Sequence, residues 1–415
     1  MDAIKIVVVG GGPAGMMAAI RASQLRQDVT LVEKNPTLGR KLLLSGKGRC
    51  NLTNACDLDS FLKRFSGNNG EFLRDAFGKF FNQDLMNFFK DRGLRLKVER
   101  QLRVFPETGK SDSILEALKK DLAKNKAKIL YKTKMKDIIL QDNRVKGLLL
   151  EDAKVIPADR IILASGGASY RFTGSTGEGI ELARKFGHRV TSLRPGLVPL
   201  VVRQGYIKNL EGLTLKNIRV KFCEGKKEIV SEIGELLFTS SGISGPLVLT
   251  LSGKIVDWIN EHRGVYAQID LKPALSYEQL DARLLREFKL SPRKNIKNVL
   301  KSLLPLRLIE VFLDIAKIPA EKIVSQLSQS QRKALVMLLK DLHLDILKPL
   351  PMEEAMVTRG GVSLRDINPR TMESRLIKGL YFCGEMIDVD ADTGGFNLQA
   401  AFSTGYLAGE SAVLN

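Results

Sequence analysis

The sequence predicts an α/β fold built on a parallel βαβ unit, and three features of the first 33 residues predict it. An apolar run, Ile4–Val9, reads as a strand; a helical stretch follows from Pro13 to about Leu25; a second apolar run, Val29–Val32, ends on Glu33. Between the first strand and the helix the glycines fall as Gly10-x-Gly12-x-x-Gly15. Gly10 permits the tight turn, Gly12 lets backbone approach a pyrophosphate, and Gly15 lets helix and strand pack closely. The helix start aims free N–H groups at phosphates. Glu33 lies 18 residues past Gly15, close to the ~20 expected of an acid that accepts ribose hydroxyls. Strand, glycines, helix and acid in that order read as a site for an adenine dinucleotide.

A chain of 415 residues is long for one domain, so two or three are expected. Apolar content of 44% and charged content of 27% match globular proteins, and no apolar stretch approaches the ~18–20 residues that span a bilayer. The chain enters a strand by Ile4 with no basic leader, so no secretory signal is expected. Cys50, Cys56, Cys223 and Cys383 are too scattered for a disulfide framework. A cytoplasmic protein with no membrane partner is expected. The net charge of +19 is spread along the whole chain, which favours a Lys-rich solvated exterior over a nucleic-acid surface. Its densest run, Lys289–Arg307, holds six basic residues and no acid and reads as an amphipathic helix with a wet face.

After Glu33, the stretch from Lys34 to Asp57 has no acid and five basic residues: Lys34, Arg40, Lys41, Lys47 and Arg49. With Gly46 and Gly48 it suits a second wall around a pyrophosphate. Cys50 and Cys56 stand where some flavoenzymes carry a redox pair, but those also need a second nicotinamide-binding βαβ unit, and none is evident; both read as ordinary thiols. The Phe-rich segment 58–92 reads as helical core and Ser111–Lys124 as an amphipathic helix. Lys128–Tyr131, Met135–Leu140 and Val145–Leu150 read as a β-meander, leading to a strand, Arg160–Leu163, that ends on Ala164-Ser165-Gly166-Gly167. Glycines 174, 177 and 179 open a helix that closes at Gly187, with His188 as a cap or surface residue.

From about Arg194 to Pro273 the pattern is largely short strands; residues 276–346 are Leu-rich and read as helical. His262 and His343 stand alone, so no metal is expected. The last stretch, Gly379–Gly409, carries a strand into Gly384-Glu385, then Gly394-Gly395 before a helix from about Asn397 to Leu407. An acid at a strand end can hold ribityl hydroxyls, and a glycine-opened helix start can stabilise charge on a reduced isoalloxazine. The N-terminal unit would take the ADP half of FAD and this one the flavin half.

At these places the sequence resembles the BaiN/RdsA family of bacterial FAD-dependent oxidoreductases, also described as aminoacetone-oxidase-like flavoproteins. The matching stretches are GGGPAG (10–15), GRKLLLSGKGRCNLTN (39–54), GGASYRFTGSTGEG (166–179), GISGP (242–246), TRGGVSLRDINPRTMESRLIKGLYFCGE (358–385) and DTGGFNLQAAFSTG (392–405). The resemblance implies a glutathione-reductase-like, FAD-binding Rossmann domain (1–193 and 351–415), interrupted by a β-barrel insert (194–274) and a small helical subdomain (275–350). It carries Gly10, Gly12, Ala14 and Gly15 over to the pyrophosphate and Glu33 to the adenosine ribose. Beside Lys34, the residues Arg40, Lys41, Gly48, Arg49, Cys50 and Asn51 would wrap the FAD. Ala164, Ser165 and Gly166 would lie along the ADP portion; Gly384, Glu385, Asn397, Leu398 and Gln399 at the ribityl chain and ring. Two positions depart from the family: Ser240 where a His often follows Phe-Thr, and Arg171 where a Pro often follows Tyr170. Tyr170 and Ser240 are the candidate substrate-facing groups.

No triad, paired-carboxylate or metal constellation stands out, as expected if a flavin carries the chemistry. The reading is hydride transfer between FAD and a small organic substrate, with transient NADH or NADPH reducing an activated C=C bond. An O₂-using amine or aminoketone oxidase, a tRNA-modifying flavoprotein and a non-catalytic flavin sensor remain open.

Overall fold

The computed structural model describes residues 4–25, 28–261 and 264–414. They divide into two compact units, Met1–Gly196 with Met352–Asn415, and Leu197–Pro351.

In the first unit the chain-order elements that position the site are β1 (Lys5–Val9), α1 (Pro13–Gln24), β2 (Asp28–Val32), α2 (Arg40–Leu44), β3 (Lys128–Leu130), β4 (Arg160–Leu163), α3 (Glu178–Lys185), β5 (Val190–Gly196), β6 (Val357–Val362), β7 (Leu380–Phe382) and α4 (Phe396–Leu414). A five-stranded sheet runs β7-β4-β1-β2-β3 with every pairing parallel. β1, β2 and β4 are buried along nearly their whole length, as the β-branched, continuously apolar runs of a parallel sheet covered on both faces require. β5 and β6 pair antiparallel beside it.

α1 and α4 meet backbone to backbone. A Cβ on Gly405 would lie 2.2 Å from the Ala14 carbonyl oxygen, and one on Gly409 would lie 2.4 Å from that of Ala18. Only small residues permit this approach. The Phe-rich segment forms edge-on ring contacts, Phe61 against Phe77, Phe81 and Phe396 at 5.3, 5.1 and 4.7 Å, and so seats the start of α4 in the core.

In the second unit the strand pairings run Thr214–Glu224, Gly234–Phe238, Gly242–Ser244, Leu200–Val202, Leu342–Pro349, Tyr266–Asp270 and back to Thr214–Glu224, with Lys227–Val230 on the flank. The helices Tyr277–Leu290, Leu306–Ile315 and Gln329–Lys340 share one apolar cluster with these strands.

Several expectations need correction. The run Pro246–Glu261, inside the segment read as β, is a helix. Leu342–Pro349, at the end of the segment read as helical, is a strand whose Leu342, Leu344 and Ile346 alternate inward. Lys289–Arg307 is not one helix: the helix stops at Leu290, ahead of Ser291-Pro292, and short turns follow. Lys128–Leu130 joins the parallel sheet, and the meander instead closes with Val155–Pro157. His188 is a cap, its N–H on the Ala183 carbonyl, but it is buried rather than superficial. His262 lies outside the described residues, and His343 sets its Nε2 3.0 Å from Asp345.

Candidate functional site

The carboxyl ends of β1, β4 and β7 converge on the start of α1, the place where open parallel sheets receive ligands. Gly10 has φ +108°, and a Cβ there would sit 2.5 Å from the Ala164 carbonyl oxygen. A Cβ on Gly15 would sit 1.9 Å from the Gly10 oxygen. Both glycines are required by protein packing alone. Gly12 differs: a Cβ on it meets nothing within 4 Å. It precedes α1, whose start has neither a side-chain cap nor an acid in its first turn. Space in front of an uncapped helix start fits a pyrophosphate. The glycine-rich basic loop ends similarly: Gly48 has φ +81° and open space where a Cβ would go.

Glu33 is buried at the end of β2. Its Oε2 accepts from the Gly11 N–H at 2.8 Å and its Oε1 from the Asn35 N–H and side-chain amide at 2.7 Å each. The carboxylate is thus fixed in place, with lone pairs left for a hydroxyl. Arg40 donates to the Asn35 oxygen at 2.7 Å. Lys34 reaches across to Thr176 and Glu178 at the start of α3. Ala164 donates its N–H to the Val9 carbonyl at 2.8 Å, Ser165 points its hydroxyl at the Met386 sulfur at 3.3 Å, and Gly166 has φ +79°.

The second focus lies at the end of β7. Gly384, φ +68°, would place a Cβ 2.7 Å from that of Ala14, so the two motifs touch. Glu385 is held from three sides. Its Oε1 accepts from the Thr358 N–H (2.6 Å) and the Ser169 hydroxyl (3.0 Å), and its Oε2 from Lys41 Nζ (2.5 Å). Lys41 also donates to Ser169 Oγ at 2.7 Å. Thr358 Oγ1 accepts from the Ala168 and Ser169 N–H groups at 2.8 and 3.0 Å. Its proton is therefore left for Ser169 Oγ, 3.2 Å away, whose own proton goes to Glu385. Both Glu385 oxygens thus act as acceptors and the Lys41 amine as a donor. Lys41 spends two of its three N–H donors in this network.

Other expected residues are placed differently. Arg49 pairs with Glu99 and lies over Phe105, 4.3 Å from its ring centre; together with Lys97 it holds the Glu99 carboxyl below its ordinary value. Cys50 is fully buried, its thiol pushed up to about 12 by burial, and among the described residues all four cysteines are free thiols. Asn51's amide faces the Gly395 N–H and the Thr53 carbonyl. Asn397 closes the loop at Ala391 and Asp392, and Leu398 packs on the core. Gln399 turns its amide into the core, where it meets Thr53, Ser403 and the Phe80 carbonyl; its side chain is committed to protein partners. Tyr170 is half-buried at φ +52°, with Lys41 Nζ 6.0 Å from its ring and Phe172 beside it. Burial, then the charge of Glu354, keeps its hydroxyl above the ordinary value and so protonated. Ser240 is exposed on a strand connection of the second unit.

Ser169 and Thr358 are the residues sequence reasoning missed. Each is a hydroxyl in a glycine-bearing stretch with nothing in its spacing to mark it, and their pairing spans 189 positions.

Comparison with known proteins agrees with this architecture. The model of the family described as HI0933-like protein Rossmann domain matches residues 4–411. The chain is 32% identical over 412 residues to a 3-dehydro-bile acid delta(4,6)-reductase of Clostridium scindens, covering 98% of each chain. It is 30% identical over 404 residues to a ribosomal RNA dihydrouridine synthase of Haemophilus influenzae, covering 96% of each. Among solved structures, a 3-ketosteroid-delta4-(5alpha)-dehydrogenase from Rhodococcus jostii shares the fold at a TM-score of 0.54 and 16% identity, over 99% of this chain and 96% of that one.

Proposed function

We infer, from the premise that this chain belongs to the HI0933-like Rossmann family, that it is an FAD-dependent oxidoreductase reducing an activated C=C bond at the expense of NADH or NADPH. One observation carries the cofactor reading: the open, uncapped start of α1 at Gly12 abuts, through Ala14 and Gly384, the fixed carboxylate of Glu385. When bound, FAD supplies the two-electron chemistry.

The chain's own residues bind and orient. Gly12 and the α1 N–H groups take the pyrophosphate, with the wall around Lys34, Arg40 and Gly48 balancing its charge. Glu33 takes the adenosine ribose. Glu385, held in place by Lys41, Ser169 and Thr358, accepts ribityl hydroxyls. Gly394 and Gly395, φ +137° and +98°, open α4 toward charge on the ring. Arg49, Asn397 and Gln399 act by holding these loops. Tyr170 is the candidate hydrogen-bond donor to substrate in the first unit, and Ser240 in the second. We read the returning strand set of the second unit as the family's barrel insert and its helices as the small helical subdomain.

Saturation of a ring C=C bond is what the names of the bile-acid and dihydrouridine relatives share. A second reading, a uridine ring within RNA as substrate, is favoured by the net charge of +19 and by the relative named for ribosomal RNA. The test is anaerobic mixing of the yellow protein with NADH and NADPH, followed by an enone or a uridine-bearing RNA. Bleaching by a nicotinamide and recovery of colour with either acceptor is expected. Persistent colour with both nucleotides, joined to oxygen uptake with an amine, would replace the reductase by an oxidase. Loss of RNA binding as salt rises separates the two substrate classes, because phosphate contacts are strongest at low salt.

A further inference from the structure

Among the described residues one βαβ dinucleotide motif is found, and it is committed to FAD under the reading above, so a nicotinamide reductant needs another place to sit. The first unit contains one. Two adjoining cavities, of about 410 and 340 Å³, share Asn69, Thr191 and Asp388 and so form one groove. Its two ends differ in chemistry. The larger end presents Arg365, Arg189 and Ser363. Arg189 is neutralised by a bidentate pair with Asp366, whereas the exposed Arg365 guanidinium has no partner among the described residues. One uncompensated cation beside hydroxyl and amide donors fits a phosphate. The smaller end presents Asp388 and Asp390 beside Arg194, Arg359 and Gly360. There the two cations offset the two acids, so this end has no excess positive charge to draw a bare anion, while its carboxylates can accept hydroxyls, as a ribose offers. That end also joins the flavin-half residues along the chain: Arg359 and Gly360 follow directly on Thr358, which holds Glu385, and Asp390 lies on the loop between Glu385 and Gly394.

We propose that this groove is the docking site for the nicotinamide dinucleotide, phosphates at Arg365 and nicotinamide ribose at Asp388 and Asp390. The proposal rests on the FAD reading. A phosphate alone leaves the carboxylates of the smaller end unused, and a neutral sugar does not use Arg365; a dinucleotide carries both chemistries.

The test is equilibrium titration of the FAD-loaded protein with the oxidised nucleotides NADP⁺ and NAD⁺, which need no turnover, and with ADP-ribose, which lacks the nicotinamide. Reversal of the exposed charge, Arg365→Glu, should weaken all three at least ~10-fold at low salt while FAD content and melting temperature stay those of the parent; Arg365→Lys should restore most of the affinity. Asp388→Asn should weaken all three, because ADP-ribose keeps the ribose assigned to this acid. A stronger effect of Arg365→Glu on NADP⁺ than on NAD⁺ places the extra phosphate at that end; equal effects place the pyrophosphate there. Unchanged affinity in both the Arg365→Glu and Asp388→Asn proteins overturns the proposal while the flavin reading stands. So does a loaded protein that binds no nicotinamide nucleotide at millimolar concentration. A protein that takes up no FAD overturns both.

Discussion

At the scale of single residues, the network around Glu385 is the sharpest target. Thr358 is buried, and its hydroxyl takes two backbone N–H groups. Thr358→Val leaves both donors unsatisfied, at a cost of about 1–3 kcal/mol each, and removes the hydroxyl that steadies Ser169 against Glu385. We expect FAD affinity to fall ~10-fold or more in titrations of the apoprotein, with Thr358→Ser close to the parent; equal affinity in Val and parent would detach this hydroxyl from the cofactor. His188 gives a second expectation. Its ring sits between the Ala183 carbonyl and Ser374 Oγ, edge-on to Phe382, and burial holds it below its ordinary value of 6.5. The unfolded chain then binds the proton more readily, so this residue's favourable share is complete above about pH 6.5 and is lost as pH falls through that value. Asp366, held low chiefly by its Arg189 hydrogen bond, adds the same sense of change only in the acid range. Melting temperature should hold down to about pH 6.5 and drop as pH falls further, and His188→Gln should flatten that slope. Neither Thr358 nor His188 was singled out in the sequence as part of a site. Ser169 and Thr358 acquire their meaning only from a contact 189 positions apart, whereas Glu33 and Glu385 announced themselves by standing at strand ends.

At the scale of elements, the start of α1 and its seam with α4 invite contrasting substitutions. A methyl group at Gly12 enters open space, so Gly12→Ala should leave the melting temperature nearly unchanged while FAD binding weakens markedly. A methyl group at Gly409 collides with the Ala18 carbonyl, so Gly409→Ala should destabilise the fold by about 1–3 kcal/mol, the range for overpacking, read by chemical denaturation. A reversal of those two outcomes would mean that the glycines had been assigned the wrong jobs. The βαβ unit was legible because its periods switch cleanly between strand and helix and its glycines mark the turns. The second unit was less so. Pro246–Glu261 buries Leu247, Val248, Ser252, Ile255 and Val256 at helical spacing, but its strand-rich neighbours set the expectation. Leu342–Pro349 follows a Leu-rich helix without a break in composition, and only its alternation, Leu342, Leu344, Ile346, distinguishes it. The run Lys289–Arg307 misled because charge and apolar residues kept helical spacing while Pro292 had already ended the helix.

At the scale of the whole molecule, two separate apolar clusters lie in the two units. Each unit therefore owns a core of its own, and residues 197–351 expressed alone should give a cooperative thermal transition; a featureless melt would mean that this segment depends on the rest of the chain. Family membership was readable from scattered motifs because strand ends and helix starts far apart in sequence keep recognisable residues, while the groove proposed for the nucleotide has no motif and emerges only from folding. The seam between α1 and α4 has a last consequence. It joins the helix that opens on Gly12 to the helix that opens after Gly395, and the surfaces in contact are main-chain atoms, which have no rotamers to give way. The interval between the two openings thus behaves as a calliper locked at one setting. No single side-chain exchange along the seam can widen or narrow it without breaking it, and a ligand of a different length would need both helices redesigned at once.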